Sequence, residues 1–140
     1  MKLRVFLGAC LLGLSQLALA DMPPKPESCP SVSMLKTQPF FMAQKPEGMP
    51  GYAAMSLGTY HTSDNWLFLM GFIEADSVMQ ALITANQNLP NLIGSPEPMA
   101  FEDQQVWVCA YEVQGTPYQA FSITPLKAPG NAAHIMKRLK

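Results

Sequence analysis

Residues 52–73, YAAMSLGTYHTSDNWLFLMGFI, carry the strongest structural signal in this chain. Two apolar segments rich in strand-forming residues flank Asp64 and Asn65, which are typical of a tight turn, and this pattern predicts a β-hairpin. A two-residue loop at that turn would place His61 opposite Phe68. The strand after the turn is apolar on both faces, so we expect a central strand that is covered on both sides.

The segments around this hairpin indicate the fold class. Ser77 and Gln80 have the spacing of a capping box, and apolar residues then recur at helical spacing until Pro90, so the main helix is expected there. Because strands precede and follow this helix, we predict an α+β fold: an antiparallel sheet of about five to six strands with one main helix packed on one face. Further strands are expected at 40–44, 99–101, 106–114 and 118–124, and a short C-terminal helix within 131–140.

The first 20 residues, MKLRVFLGACLLGLSQLALA, have the organisation of a signal peptide for secretion. Lys2 and Arg4 form a positive n-region, an apolar run follows, and Ala-Leu-Ala at 18–20 is a typical cleavage site. We therefore expect an exported protein, periplasmic or secreted. Two alternatives stay open, namely an uncleaved membrane anchor and lipid attachment at Cys10.

Cleavage would leave residues 21–140, which have the length of a single domain. The Pro-rich start at 21–28, here called the lead-in, is expected to be flexible or polyproline-like. The mature part carries seven Lys and Arg against ten Asp and Glu, a net charge of −3. It thus offers no basic field for nucleic acid or for an anionic membrane, and no stable membrane span is expected after cleavage.

Two cysteines remain after cleavage, Cys29 and Cys109. In an oxidising compartment such a pair is expected to form a disulfide. The chain-entropy model assigns a loop of about 80 residues a stabilisation of about 4.5 kcal/mol as an upper figure. A reactive thiol pair and a pair of metal ligands are alternatives, but the two cysteines are far apart and form no C-x-x-C motif.

The residues that could carry chemistry are few, and they do not indicate an enzyme. Only His61 and His134 are available as general bases, and no G-x-S-x-G nucleophile elbow is present. No H-x-x-x-H pair, cysteine cluster or Asp-rich loop indicates a metal site. The nine methionines of the mature part raise the question of Cu(I), but they form no M-x-M cluster and are better explained by packing. We expect no catalytic residue and no metal ligand.

Haem is a different case, because it needs only an apolar slot and one axial His, Tyr or Met. Tyr60 and His61 are the candidate ligands, since they would end a strand beside an aromatic surface. The plain alternative is that His61 is a half-exposed strand residue without a ligand. That expected aromatic face comprises Met55, Leu57, Trp66, Phe68, Met70 and Phe72, and the weaker candidate ligands are Tyr52, Tyr111, Tyr118 and His134.

The leader, ESCP at 27–30, WLFLMGF at 66–72 and VWVCAYE at 106–112, followed by a Gly-turn hairpin, resemble a family of small exported bacterial proteins. This family is found chiefly in Legionella-type intracellular pathogens and is largely uncharacterised, and one member is described as a haemin-binding protein. The resemblance implies haemin binding and a role in iron or haem acquisition. It transfers no functional residue.

Two hypotheses follow. The first is a secreted or periplasmic haemin-binding protein with His61 or Tyr60 as the axial ligand. The second is an exported protein–protein interaction or host-contact module without a cofactor, which would use the Pro- and Gly-rich loops at 45–51 and 91–98. A slot with His61 or a tyrosine at its rim would favour haem, whereas an exposed aromatic or Met patch would favour a protein partner.

Overall fold

The structure, a computed structural model, describes residues 22–139, so the predicted signal peptide lies outside the described residues. Its helices are α1 (Val32–Leu35), α2 (Val78–Asn88) and α3 (Pro129–Arg138). Its strands are β1 (Met42–Gln44), β2 (Tyr52–Gly58), β3 (Trp66–Ile73), β4 (Leu92–Ile93), β5 (Met99–Phe101), β6 (Val106–Val113) and β7 (Gln119–Thr124). Short 3-10 turns lie at Leu89–Asn91 and Glu102–Gln104.

The strands of the described residues form one antiparallel sheet with seven members. Their order is β1-β2-β3-β7-β6-β4, and β5 also pairs with β6. The two hairpins, β2–β3 and β6–β7, lie side by side because β3 pairs with β7. The predicted α+β fold with an antiparallel sheet is therefore confirmed, although the sheet has more strands than expected.

Both faces of the sheet are covered, which explains why β3 is apolar throughout. Seven of its eight residues are buried. On one face, Phe68 and Met70 pack in a cluster with Ala85 of α2. On the other face, Leu67 and Leu69 pack in a second cluster, to which α3 contributes Ala132, Ile135 and Met136. The expectation of a central strand covered on both sides is confirmed, and α3 supplies the cover opposite the main helix.

Helix α2 begins as its sequence predicts. The hydroxyl of Ser77 accepts a hydrogen bond from the backbone N–H of Gln80 at 3.1 Å, and the Gln80 side chain accepts one from the N–H of Asp76 at 2.8 Å. Ala81 and Ala85 are fully buried, because small residues one turn apart let the helix approach the sheet closely. The apolar side chains of the helix are not all buried, since Val78, Met79 and Ile83 are exposed.

The hairpin exists, but its predicted register is wrong. Strand β2 ends at Gly58, which pairs with Trp66, so residues 59–65 form the connection instead of a two-residue loop. Phe68 therefore lies opposite Ser56 and not opposite His61. Because side chains alternate between faces, this shift by an odd number of residues also puts Met55 on the face opposite Phe68.

The cause lies in the connection itself. Tyr60 and His61 adopt left-handed backbone conformations, with φ of 48° and 60°. Such conformations turn the chain out of the extended path that a strand needs. The hydroxyl of Thr62 then closes the loop by accepting a hydrogen bond from the indole N–H of Trp66 at 2.8 Å.

The disulfide is present as predicted. Cys29 and Cys109 are joined with an S–S distance of 2.06 Å and a Cα–Cα distance of 6.0 Å. The bond links the end of the lead-in to β6, across a sequence separation of 80 residues.

Candidate functional site

The two candidate haem ligands, Tyr60 and His61, are neighbours in the chain but lie in different environments. Tyr60 is only 6% exposed, and its hydroxyl shares a hydrogen bond of 2.7 Å with the hydroxyl of Ser56. Burial raises the pKa of the Tyr60 phenol, and the hydrogen bond to Ser56 offsets part of this effect. His61 is exposed. The structure thus directs the Tyr60 oxygen into the core, where it already has a partner.

The aromatic hairpin face that we expected beside these ligands is filled by other side chains. Phe40 stacks on Phe68 with ring centroids 5.3 Å apart, and Tyr111 meets the same ring edge-on at 6.0 Å. Phe68 lies in register between Ser56 on β2 and Ser122 on β7. This region is a packed core and offers no open slot to a flat cofactor.

The weaker candidate ligands are also dispersed. The Tyr111 hydroxyl donates to the carbonyl of Pro30 at 2.5 Å, and burial raises the pKa of Tyr111 to about 12. His134 is exposed on α3, and Tyr52 and Tyr118 are half-buried. Among residues 22–139, no three His, Cys, Asp or Glu side chains come together in a way that could hold a metal ion.

Strand β6 holds the N-terminal segment through three alternate residues. The indole N–H of Trp107 donates to the carbonyl of Pro23 at 3.0 Å, Cys109 forms the disulfide with Cys29, and Tyr111 binds Pro30. Residues two apart on a strand point to the same side, so these three contacts lie along one face.

The lead-in is consequently held against the sheet. Pro26 is buried and Pro23 is half-buried. No local pattern predicts this placement, because Pro23 and Trp107 are 84 residues apart in the chain. The available signal was a proline run ahead of Cys29, since a disulfide to Cys109 brings that run towards the side chain two residues before Cys109.

Two cavities lie beside the held lead-in. The larger, of about 590 Å³, separates Lys25 and Glu27 from the loop at 94–98, and serine hydroxyls line much of it. The smaller, of about 350 Å³, lies at the N-terminal end of β6 and is here called the Trp107 groove. Its principal lining residues are Trp107, Pro23, Pro24, Asp64, Pro125 and Leu126.

The Trp107 groove has the features of a recognition surface. Trp107 is half-buried, so part of its ring faces solvent, and Leu126 is 49% exposed. The loop at 59–65 contributes Asp64 to the groove, but His61 is not among the lining residues. Thr124 joins the end of β7 to the loop at 59–65, because its hydroxyl donates to the carbonyl of Asn65 at 2.7 Å.

The sequence of this chain matches a known protein family. The model of a family described as a domain of unknown function, DUF4949, matches residues 28–129. The chain belongs to this family. The DUF4949 match includes Trp107 and both cysteines of the disulfide and begins after Pro23 and Pro24. The DUF4949 description names no ligand, so haemin binding stays a prediction.

A search of curated proteins and a search of solved structures found no significant match to this DUF4949 protein.

Within residues 22–139, no helix has both the length and the hydropathy needed to cross a membrane.

Proposed function

We propose that this protein is an exported module that binds another protein, without a cofactor or catalytic machinery of its own. The observation that carries the proposal is the contact between Trp107 and Pro23, in which a tryptophan at a surface groove holds the N-terminal segment through a hydrogen bond to its backbone carbonyl. An aromatic platform with a directed donor is what peptide recognition commonly uses. The leader and the Cys29–Cys109 disulfide support export, because disulfides persist in oxidising compartments.

Haemin binding is the competing hypothesis, and the placement of the side chains favours the module over it. The Tyr60 hydroxyl is bound to Ser56 inside the core, and Phe40 and Tyr111 cover Phe68. Of the two principal candidates, His61 keeps an exposed side chain, and His134 is exposed on α3. Haemin binding therefore rests on the resemblance and on surface histidines that the structure does not bring to a slot.

Site-specific photo-crosslinking in the native cell tests the module. A photoreactive phenylalanine analogue is placed at Leu126 in the Trp107 groove or, as a control, at Gln87, which is exposed on α2. We expect an adduct of defined mass from position 126 that is absent from position 87 and is lost in a Trp107→Ala background. Identical adducts from both positions, or none, would contradict the proposal.

Titration of the oxidised protein with haemin tests the competing hypothesis. We expect weak, non-saturating absorbance changes like those of an unrelated apolar protein, unchanged by His61→Ala. A saturable shifted band that weakens on His61→Ala would overturn the proposal in favour of haemin binding.

A further inference from the structure

The lead-in has the sequence of a polyproline ligand. Residues 23–26 are Pro-Pro-Lys-Pro, a P-x-x-P motif. Pro23 is half-buried and Pro26 buried, whereas Pro24 and Lys25 between them are exposed. A polyproline II helix has three residues per turn, so its first and fourth residues lie on the same edge. The burial of residues 23–26 follows this period, with the Pro23 and Pro26 edge against the protein.

Trp107 supplies what such a segment needs from its receptor. A polyproline II backbone makes no internal hydrogen bonds, so its carbonyl groups remain free to accept one from outside. The indole N–H of Trp107 is a donor only, and it meets the Pro23 carbonyl at 3.0 Å. Aromatic-lined grooves with such contacts are the general means by which proteins recognise proline-rich segments.

Asp64 adds a charge preference to the groove. It lines the cavity together with Pro24, and its carboxylate forms no ion pair with any residue of the part that the structure describes. A partner with a Lys or Arg beside its prolines would bring a complementary charge to this carboxylate.

We propose that the Trp107 groove binds proline-rich segments with a neighbouring basic residue, and that the lead-in, which forms one wall of the groove, is the intramolecular occupant of the Trp107 hydrogen-bond site. A partner's segment displaces residues 23–26 from Trp107. This inference rests on the proposed function and names the class of partner. The Cys29–Cys109 disulfide tethers the lead-in three residues after Pro26, so the lead-in competes at a high effective concentration and lowers the apparent affinity for an added peptide.

Nuclear magnetic resonance of the predicted mature chain, residues 21–140, labelled with ¹⁵N, tests this inference, because each of its two tryptophans contributes one indole N–H signal. The probe is an acetylated, amidated peptide that carries the PPKP motif twice, and the control is the same peptide with alanine in place of proline. We expect the proline peptide to move the Trp107 indole signal to saturation. The indole of Trp66, which is fully buried and bound to Thr62, is the internal control and should not move.

Two variants test the role of the lead-in and the role of Trp107 independently. In Pro23→Gly combined with Pro24→Gly, the competing segment is weakened, and we expect the peptide to bind at least about tenfold more tightly. The matched control, Pro90→Gly combined with Pro117→Gly, changes two exposed prolines outside the groove and should leave the affinity unchanged. Trp107→Phe keeps a ring but removes the N–H, so binding of labelled peptide should be lost while the Trp66 signal reports an intact fold.

The outcomes distinguish this inference from the proposed function. No saturable movement of the Trp107 signal in the Pro23→Gly, Pro24→Gly variant would overturn the polyproline assignment, as would equal binding of the alanine peptide. If crosslinking at position 126 still captured a partner, the interaction module would stand and only its partner class would be wrong. Equal affinity in the intact chain and the double variant would overturn the role of the lead-in as occupant.

Discussion

The indole N–H of Trp107 and the carbonyl oxygen of Pro23 lie 3.0 Å apart across a sequence separation of 84 residues. This is one of three contacts that alternate residues of β6 make with the N-terminal segment. The other two are the disulfide at Cys109 and the hydrogen bond between Tyr111 and Pro30. The N-terminal segment is therefore held by β6, and the half-buried tryptophan of β6 lies next to a groove that the same segment lines.

Removal of the disulfide should lower stability substantially. We expect the double variant Cys29→Ala, Cys109→Ala to lose about 2–5 kcal/mol of unfolding free energy, because the crosslink restricts the unfolded chain over a long loop. Urea unfolding of the oxidised protein, the reduced protein and the double variant measures this loss. Coincident unfolding midpoints for all three would contradict the prediction.

The hydroxyls of Tyr60 and Ser56 should contribute to the free energy of unfolding as a coupled pair. Tyr60→Phe leaves the buried Ser56 hydroxyl without its partner, and we expect a loss of about 1–3 kcal/mol. Adding Ser56→Ala should restore part of this loss, because both polar groups are then absent from the core. A double-mutant cycle by chemical denaturation measures the coupling energy, and a value near zero would mean that the pair does not act as a unit.

Stability should fall at alkaline pH through Tyr111. Burial raises its pKa from 10.0 to about 12, so the folded state retains the phenolic proton more strongly than the unfolded state does. The resulting stabilisation is fully present below about pH 10 and is lost as the pH rises through about 12. Unfolding free energies measured across this range should decline less steeply in Tyr111→Phe, and parallel declines would exclude Tyr111 as a source.

The two sides of α2 should respond differently to substitution. Ala85 is fully buried against the sheet, so Ala85→Leu should overpack the core and cost about 1–3 kcal/mol. Ile83 is 51% exposed, and Ile83→Ala should change stability by less than about 0.5 kcal/mol. Thermal and urea unfolding of both variants test this contrast, and a larger loss for Ile83→Ala would mean that this side of α2 is covered.

Local pattern accounts for much of the architecture. The capping box at Ser77, the alternation along β6 and the central apolar strand β3 each express a short-range rule, and each is found in the structure. The candidate site was less predictable. Tyr60 has the side chain of a haem ligand, but whether its hydroxyl faces a slot or the core depends on backbone angles in the loop at 59–65 that no periodicity encodes.

Periodicity and composition alone were sufficient for the fold class, for the hairpin as an element and for the cysteine pairing, since only two cysteines follow the leader. The register of that hairpin and the hydrogen bond between Trp107 and Pro23 arose from packing between distant parts of the chain. The reason is physical: alternation specifies which side chains share a face, whereas the opposing residue is set by loop geometry and by long-range contacts. In this protein, those contacts are the ones that form the Trp107 groove.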